Sequence, residues 1–245
     1  MGSLAGLGPR PERLGGRRTI GAMRRPRVHP AVVAAVLLLP VSALAACGDD
    51  APESSPAPAA PSCAFTPAGD AAKKVDLPPS QATATGPVEV TISTTQGDLH
   101  ATLDGAHAPC TVTSFLSLAD QGYFDSTPCH RLTNEGIYVL QCGDPTGTGY
   151  GGPGYTIPDE YDDSESYPAG TLAMANAGPD AGPNTGGSQF FIVYEDTQLD
   201  PFYTVFGTLD GESTSLVRTI AAGGSTPKGD GKPNTAVDLT GVTLD

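Results

Sequence analysis

Five cysteines, four histidines and a run of acids at 159–165 are the residues of this chain that could carry chemistry at first sight. No two cysteines have Cys-x-x-Cys spacing, and the histidines are few, so neither zinc nor thiol redox chemistry is expected. Asp159, Glu160, Asp162, Asp163 and Glu165 do not have the spacing of a calcium loop and read as a solvated acidic loop. The stretch from Gly147 to Gly152 formally fits G-x-G-x-x-G, but Pro153 follows and no helical pattern does. It reads as a flexible loop, not as a nucleotide site. Gly187-Ser188-Gln189 lacks the Gly-x-Ser-x-Gly form of a hydrolase elbow. His130 precedes Arg131 on an expected strand, points away from it, and reads as structural. Arg131 remains: always charged, with a rigid fork of N–H donors. Alone, its ordinary reading is a surface ion pair.

These residues need elements to hold them. Val88, Val90 and Ile92 alternate with polar residues, as do Leu99, Ala101 and Leu103, with a turn between the two runs: a β-hairpin. Val112, Phe115, Leu116 and Ala119 have helical spacing, and Gly122 stops the helix. Short apolar strands are expected at 137–142, 170–175, 189–194 and 203–208. A second helix is expected over Glu212–Ala222, with Leu216, Val217 and Ile220 on one face. Ala236–Leu244 reads as a closing strand. Many short strands, two helices and Gly/Pro-rich turns argue a β-barrel or sandwich.

The N-terminus reads as a targeting segment. Met23-Arg24-Arg25-Pro26-Arg27 is basic, Ala31–Val41 is apolar and too short to span a bilayer, and Leu44-Ala45-Ala46-Cys47 resembles a bacterial lipobox. Residues 1–46 are therefore expected to be a lipoprotein signal peptide, starting at Met1 or Met23, with Cys47 as the lipid-bearing residue and the protein held outside the cytoplasm on a membrane. Residues 47–84, rich in Pro, Ala and Ser, read as a flexible tether, pinned in part through Cys63. Residues 85–245 form the folded domain. Seven of the 13 basic residues and one of the 27 acids precede Cys47, which leaves 6 basic and 26 acidic residues, a net of −20. Such a surface repels phosphate backbones, so nucleic acid is not an expected partner. The four remaining cysteines are an even set in an exported chain and allow two disulfides in three connectivities. Cys129 and Cys142 fall on short strands joined by a tight connection, so they are expected to pair. Cys63–Cys110 follows by elimination.

Five stretches fix the reading further: Cys129-His130-Arg131-Leu132, Tyr138 through Asp144, Leu172 through Pro179, Gly186 through Ile192, and Thr204 through Gly207. In order and spacing they resemble the cyclophilin family, from about Val88 to about Val242. The resemblance implies a mainly β fold, a closed eight-stranded antiparallel barrel capped by two helices. It implies peptidyl-prolyl cis/trans isomerisation of X–Pro segments in exported proteins, with neither cofactor nor metal. The other reading is a catalytically weak cyclophilin-like module or chaperone that binds proline segments.

Rotation about a peptide bond is opposed by about 18–20 kcal/mol, because resonance gives the C–N bond double-bond character. A catalyst needs an apolar pocket for the proline ring and a donor that withdraws the nitrogen lone pair from resonance. The resemblance places Arg131 as that donor. It places Tyr138, Val139, Phe191 and Leu199 around the ring, with Tyr203 nearby. Gln141, Asn176 and Gln189 would hold the substrate backbone, with Ala175 beside them. Adjacent strand residues face opposite ways, so Phe190 is expected in the core and Phe191 in the pocket. Tyr138, Val139 and Tyr203 stand where Phe, Met and His are usual, the chain has no Trp near Gln198-Leu199, and the loop 133–136 is one residue longer. These departures put substrate preference and cyclosporin affinity in doubt, more than the class of reaction.

Overall fold

The computed structural model describes residues 59–245; Cys47 and the expected signal peptide lie outside them. In chain order the elements are β1 (Thr66–Pro67), β2 (Pro87–Thr94), β3 (Gly97–Asp104), α1 (Pro109–Asp120), β4 (Thr127–Pro128), β5 (Arg131–Glu135), β6 (Ile137–Cys142), β7 (Tyr155–Thr156), β8 (Thr171–Met174), β9 (Phe190–Val193), β10 (Val205–Leu209), α2 (Gly211–Ala221), β11 (Ser225–Thr226), β12 (Asp230–Pro233) and β13 (Asp238–Leu244). Eleven strands form one antiparallel, strongly curled sheet in the order β11-β12-β5-β6-β9-β8-β10-β3-β2-β13-β4. Among the described residues no ladder joins its two end strands.

The alternation in the sequence becomes the two faces of this sheet. Val90, Ile92, Leu99 and Leu103 are buried to within 1% of full coverage, and the polar residues between them face outward. The hairpin registers Thr94 against Gly97, so only Thr95 and Gln96 turn the chain; Gly97 adopts φ 130°, which a side chain resists. Helix α1 begins on Pro109, whose missing N–H would be unpaired there in any case. Its next two N–H groups, of Cys110 and Thr111, donate to the two carboxylate oxygens of Glu160, at 2.8 Å each. Helix α2 is capped by Asp210, which accepts from the Ser213 N–H at 2.7 Å.

The main core lies between the sheet and the helices. Phe115, Phe124, Phe190 and Phe206 pack with ring centroids 5.0–6.3 Å apart, edge to face or tilted. The disulfides are Cys63–Cys110 and Cys129–Cys142, the pairing expected. Residues 62–84, whose composition reads as tether, lie against the domain. Ser62 bridges Gln81, β1 pairs with β7, and the Thr83 N–H donates to Thr113 Oγ1 at 2.9 Å. The packed part of the chain thus reaches back past residue 85.

Candidate active site

Antiparallel pairing brings one row of side chains to the same face of four strands. Arg131 on β5 stands opposite Gln141 on β6, Gln141 opposite Phe191 on β9, and Phe191 opposite Ala173 on β8. One step along, Thr133, Val139 and Val193 form the next row. Val139, Tyr167, Ala173, Phe191 and Val193 make a second, smaller apolar cluster, distinct from the main core. Ala175, Leu199 and Tyr203 pack on it, half-buried. Tyr203 sets its ring edge-on to Phe191, with centroids 5.3 Å apart. Tyr167 donates its hydroxyl proton to the Tyr203 carbonyl and accepts from the Tyr203 N–H; burial pushes that phenol up to about 12.

The polar side of the row is a relay. Arg131 Nη1 donates to Gln141 Oε1 at 3.2 Å, and Gln141 Nε2 donates to Gln189 Oε1 at 2.9 Å. Gln189 Nε2 in turn donates to the carbonyls of Gly149 and Gly151, at 2.9 Å each. Those carbonyls belong to the loop 143–154, which folds around the buried Asp144. The Asp144 carboxylate accepts from the N–H groups of Thr146, Thr148, Gly149 and Gly151. Burial pushes that carboxyl up, but hydrogen bonds from Thr146, Gly151 and Gly149 outweigh it and hold it at about 2. Glycines of the stretch that formally fits G-x-G-x-x-G thus wrap a carboxylate of the chain itself. Gly149, Tyr150, Ala175, Asn176 and Gln189 line a cleft of about 430 Å³ beside the row, with Ala68–Asp70 of the N-terminal segment on its rim. Tyr150 is 95% exposed there.

Arg131, Val139, Gln141, Ala175, Gln189, Phe191, Leu199 and Tyr203 lie together in the fold. Phe190 faces the main core and Phe191 the small cluster. Asn176 lines the cleft beside Ala175 and Gln189, and one expected residue, Tyr138, is placed differently. Tyr138 packs against the main core, with its ring 6.0 Å from that of Tyr194, because alternation turns it away from Val139 and Gln141. Asn176 commits its amide to its own surroundings: Nδ2 donates to the Phe202 carbonyl at 2.6 Å, and Oδ1 accepts from the Gly178 N–H at 2.9 Å. His130 is largely buried, its Nδ1 has no partner among the described residues, and burial lowers its pKa.

Asp230 on β12 was missed from sequence. Its two carboxylate oxygens accept from Arg131 Nε and Nη2, at 2.8 Å each. This hydrogen bonding raises the Arg131 pKa and lowers that of Asp230. Three of the five acids of the 159–165 run hold the chain together: Glu160 on α1, Asp159 on the Asn184 N–H, and Glu165 on His107 at 2.8 Å.

A family model described as cyclophilin type peptidyl-prolyl cis-trans isomerase/CLD matches residues 88–244. A probable peptidyl-prolyl cis-trans isomerase B of Mycobacterium tuberculosis (strain CDC 1551 / Oshkosh) is 46% identical over 200 residues, covering 75% of this chain and 64% of its own length. The protein of that name from Mycobacterium leprae (strain TN) is also 46% identical over 200 residues, covering 75% of this chain and 66% of its own. The chain therefore spans just under two thirds of the length of these relatives. A crystal structure of a Cryptosporidium parvum cyclophilin type peptidyl-prolyl cis-trans isomerase superposes with a TM-score of 0.57 at 34% identity, covering 65% of this chain and 98% of that one. The row of Arg131, Gln141 and Phe191 on a curled antiparallel sheet and the match over residues 88–244 agree: this chain belongs to the cyclophilin-type peptidyl-prolyl cis-trans isomerase family.

Proposed function

We propose that this chain accelerates cis/trans isomerisation of X–Pro bonds in polypeptides outside the cytoplasm. The observation that carries the reading is the placement of a guanidinium and an apolar cluster on one face, as strand neighbours of Gln141. The proline ring sits against Phe191, Val139 and Leu199. Arg131 then donates an N–H to the proline nitrogen as the amide twists, when its lone pair leaves conjugation and becomes basic. That hydrogen bond forms fully only in the transition state, so it lowers the barrier without tightening ground-state binding. A preorganised charged donor contributes about 2.7–4 kcal/mol, roughly a hundred- to a thousandfold in rate.

The test is isomerase activity, with calorimetric binding of an X–Pro peptide, on wild type and Arg131→Ala. The expected result is a loss of that order in kcat/KM with affinity kept; Arg131→Lys recovers little, since an ammonium lacks the planar fork. Near wild-type activity in Arg131→Ala would refute the role. A wild type that binds peptide but does not turn it over would make the chain a proline-segment binding module.

The same reading has the domain borne on lipid at Cys47, beyond a signal peptide over 1–46 and a tether that starts at 47. It is supported by the lipobox and by the basic and apolar segments before it. Cys47→Ser is expected to move the protein from the membrane to the soluble fraction; unchanged retention would remove the anchor from the proposal. Closure of the curled sheet into an eight-stranded barrel also belongs to this reading. It is supported by the bulges at Val205/Gly207 and Leu239/Gly241, which bend strands β10 and β13.

A further inference from the structure

The Arg131 side chain is 40% exposed, and long exposed side chains ordinarily wander among rotamers. Here it is held on two sides. Asp230 takes the Nε and Nη2 edge through both carboxylate oxygens, and Gln141 takes Nη1. A guanidinium has five N–H donors, so these three bonds leave two to face a substrate. The side-on, two-point contact fixes the plane of the fork as well as its place, which a single hydrogen bond does not.

Asp230 reaches this position by construction. β12 pairs antiparallel with β5, registering Asp230 against Thr133 and Gly231 against Leu132, so its carboxylate stands beside the strand that bears Arg131. Gly231 admits no side chain: a Cβ there would lie 2.4 Å from the Pro227 nitrogen and the Thr226 carbonyl carbon. The chain folds back tightly over Thr226 and Pro227, and β11 pairs with β12 on the far side. A short two-strand flap therefore exists at this edge of the sheet, and the group it presents to the site is one carboxylate.

We propose that Asp230 is a positioning residue for isomerisation, which clamps the Arg131 guanidinium so that its remaining N–H donors are already aimed at the proline nitrogen. The inference rests on the reading of Arg131 as the donor. As an exposed ion pair the contact adds little to stability, since both partners stay in water and are screened. Its value lies in orientation: a donor free to swing must be ordered again in each transition state, and misplacement of a reacting group by an ångström is costly in rate.

The experiment measures the rate of catalysed X–Pro exchange on saturating peptide by NMR, and peptide affinity by calorimetry. It uses wild type, Asp230→Ala, Asp230→Asn, Asp230→Glu and the double variant Arg131→Ala/Asp230→Ala. Asp230→Ala is expected to slow exchange on the bound peptide about tenfold, with affinity changed less than about twofold. Asp230→Asn keeps one acceptor and falls between Ala and wild type. Asp230→Glu recovers part of the rate, because the longer chain still offers two oxygens. In the Arg131→Ala background, Asp230→Ala removes nothing further, because the clamp acts only through the arginine. Equal loss of rate and affinity, a rate unchanged in Asp230→Ala, or a rise in rate on freeing the arginine each overturns the proposal. An additive loss in the double variant does so too. The isomerase reading fails separately, by an inactive wild type or an active Arg131→Ala; with wild type active and Arg131→Ala inactive, an unaffected Asp230→Ala sinks the clamp alone.

Discussion

Phe190 and Phe191 are neighbours in the chain whose side chains pack on opposite faces of β9. Phe190 is fully buried among Phe115, Phe124 and Phe206, and its removal would leave a void that rigid neighbours cannot fill. Phe190→Ala is therefore expected to cost about 3–5 kcal/mol of stability in chemical denaturation. Phe191 belongs to the small cluster at the site, against Tyr203 and Tyr167. Phe191→Ala is expected to cost less stability but to weaken peptide affinity and kcat/KM together with kcat kept, since the ring contact exists in ground and transition states alike. Denaturation and calorimetry on the two variants check the contrast; equal stability losses with unchanged affinity would reject it. The split was legible because strand residues alternate, and that rule also separates Tyr138 from Val139, which the family resemblance had placed together. Asp230 was not legible. It sits in Gly229-Asp230-Gly231, with no periodic apolar residues to announce a strand, and its partner is 99 residues away.

The loop 143–154 shows at the level of an element what a glycine pattern can serve when it is not a nucleotide site. Its glycines fit a phosphate-loop pattern in sequence, yet the anion they surround is Asp144. Gly149 and Gly151 take part twice, donating N–H groups to Asp144 and offering carbonyls to Gln189. What sequence reading lacked was the carboxylate that the loop closes on, two to seven residues upstream of its partners. The Asp144 carboxyl is held at about 2 in the fold, against 3.8 ordinarily. A depressed carboxyl contributes stability that is fully present above the ordinary value and is lost as pH falls through the folded one. Between pH 5 and pH 2.5 the wild type is thus expected to lose up to roughly 2 kcal/mol more stability than Asp144→Asn, which has no such charge to protonate. Urea titrations at the two pH values measure this. Identical acid losses in both proteins would mean that the charge does not hold the loop. Asp144→Asn is also expected to lower isomerase activity at neutral pH, because Gln189 is braced only through the loop and Gln141.

Across the whole molecule, the segment 62–84 is where composition and structure part. With few large side chains it cannot bury enough apolar surface to offset its own ordering, so its sequence reads as a tether. The structure instead ties it down at discrete points. Cys63 is bonded to Cys110, β1 lies along β7, and the Ala68 and Ala72 N–H groups donate to the carbonyls of Gly154 and Gly152. Lys73 donates its ammonium protons to the carbonyls of Tyr123 and Asp125. The covalent link does what a core would otherwise do: with its cysteines 47 positions apart in the chain, it removes about 4 kcal/mol worth of freedom from the unlinked chain in the loop-entropy account. Only with that freedom removed do a few backbone hydrogen bonds, each worth about 1 kcal/mol, suffice to dock the segment. The Cys63→Ser/Cys110→Ser variant is therefore expected to release the segment while β2–β13 stay folded. Limited trypsin digestion checks this directly. In the wild type Lys73 is engaged and cleavage after Lys73 and Lys74 is slow; in the variant both bonds are cut early, leaving a stable fragment that begins near Val75. The Cys129→Ser/Cys142→Ser variant, whose link spans only 13 residues and lies inside the sheet, is expected to lower overall stability by up to about 3 kcal/mol without opening those two sites. Equal resistance of Lys73 and Lys74 in both variants would show that the segment is held by its hydrogen bonds alone.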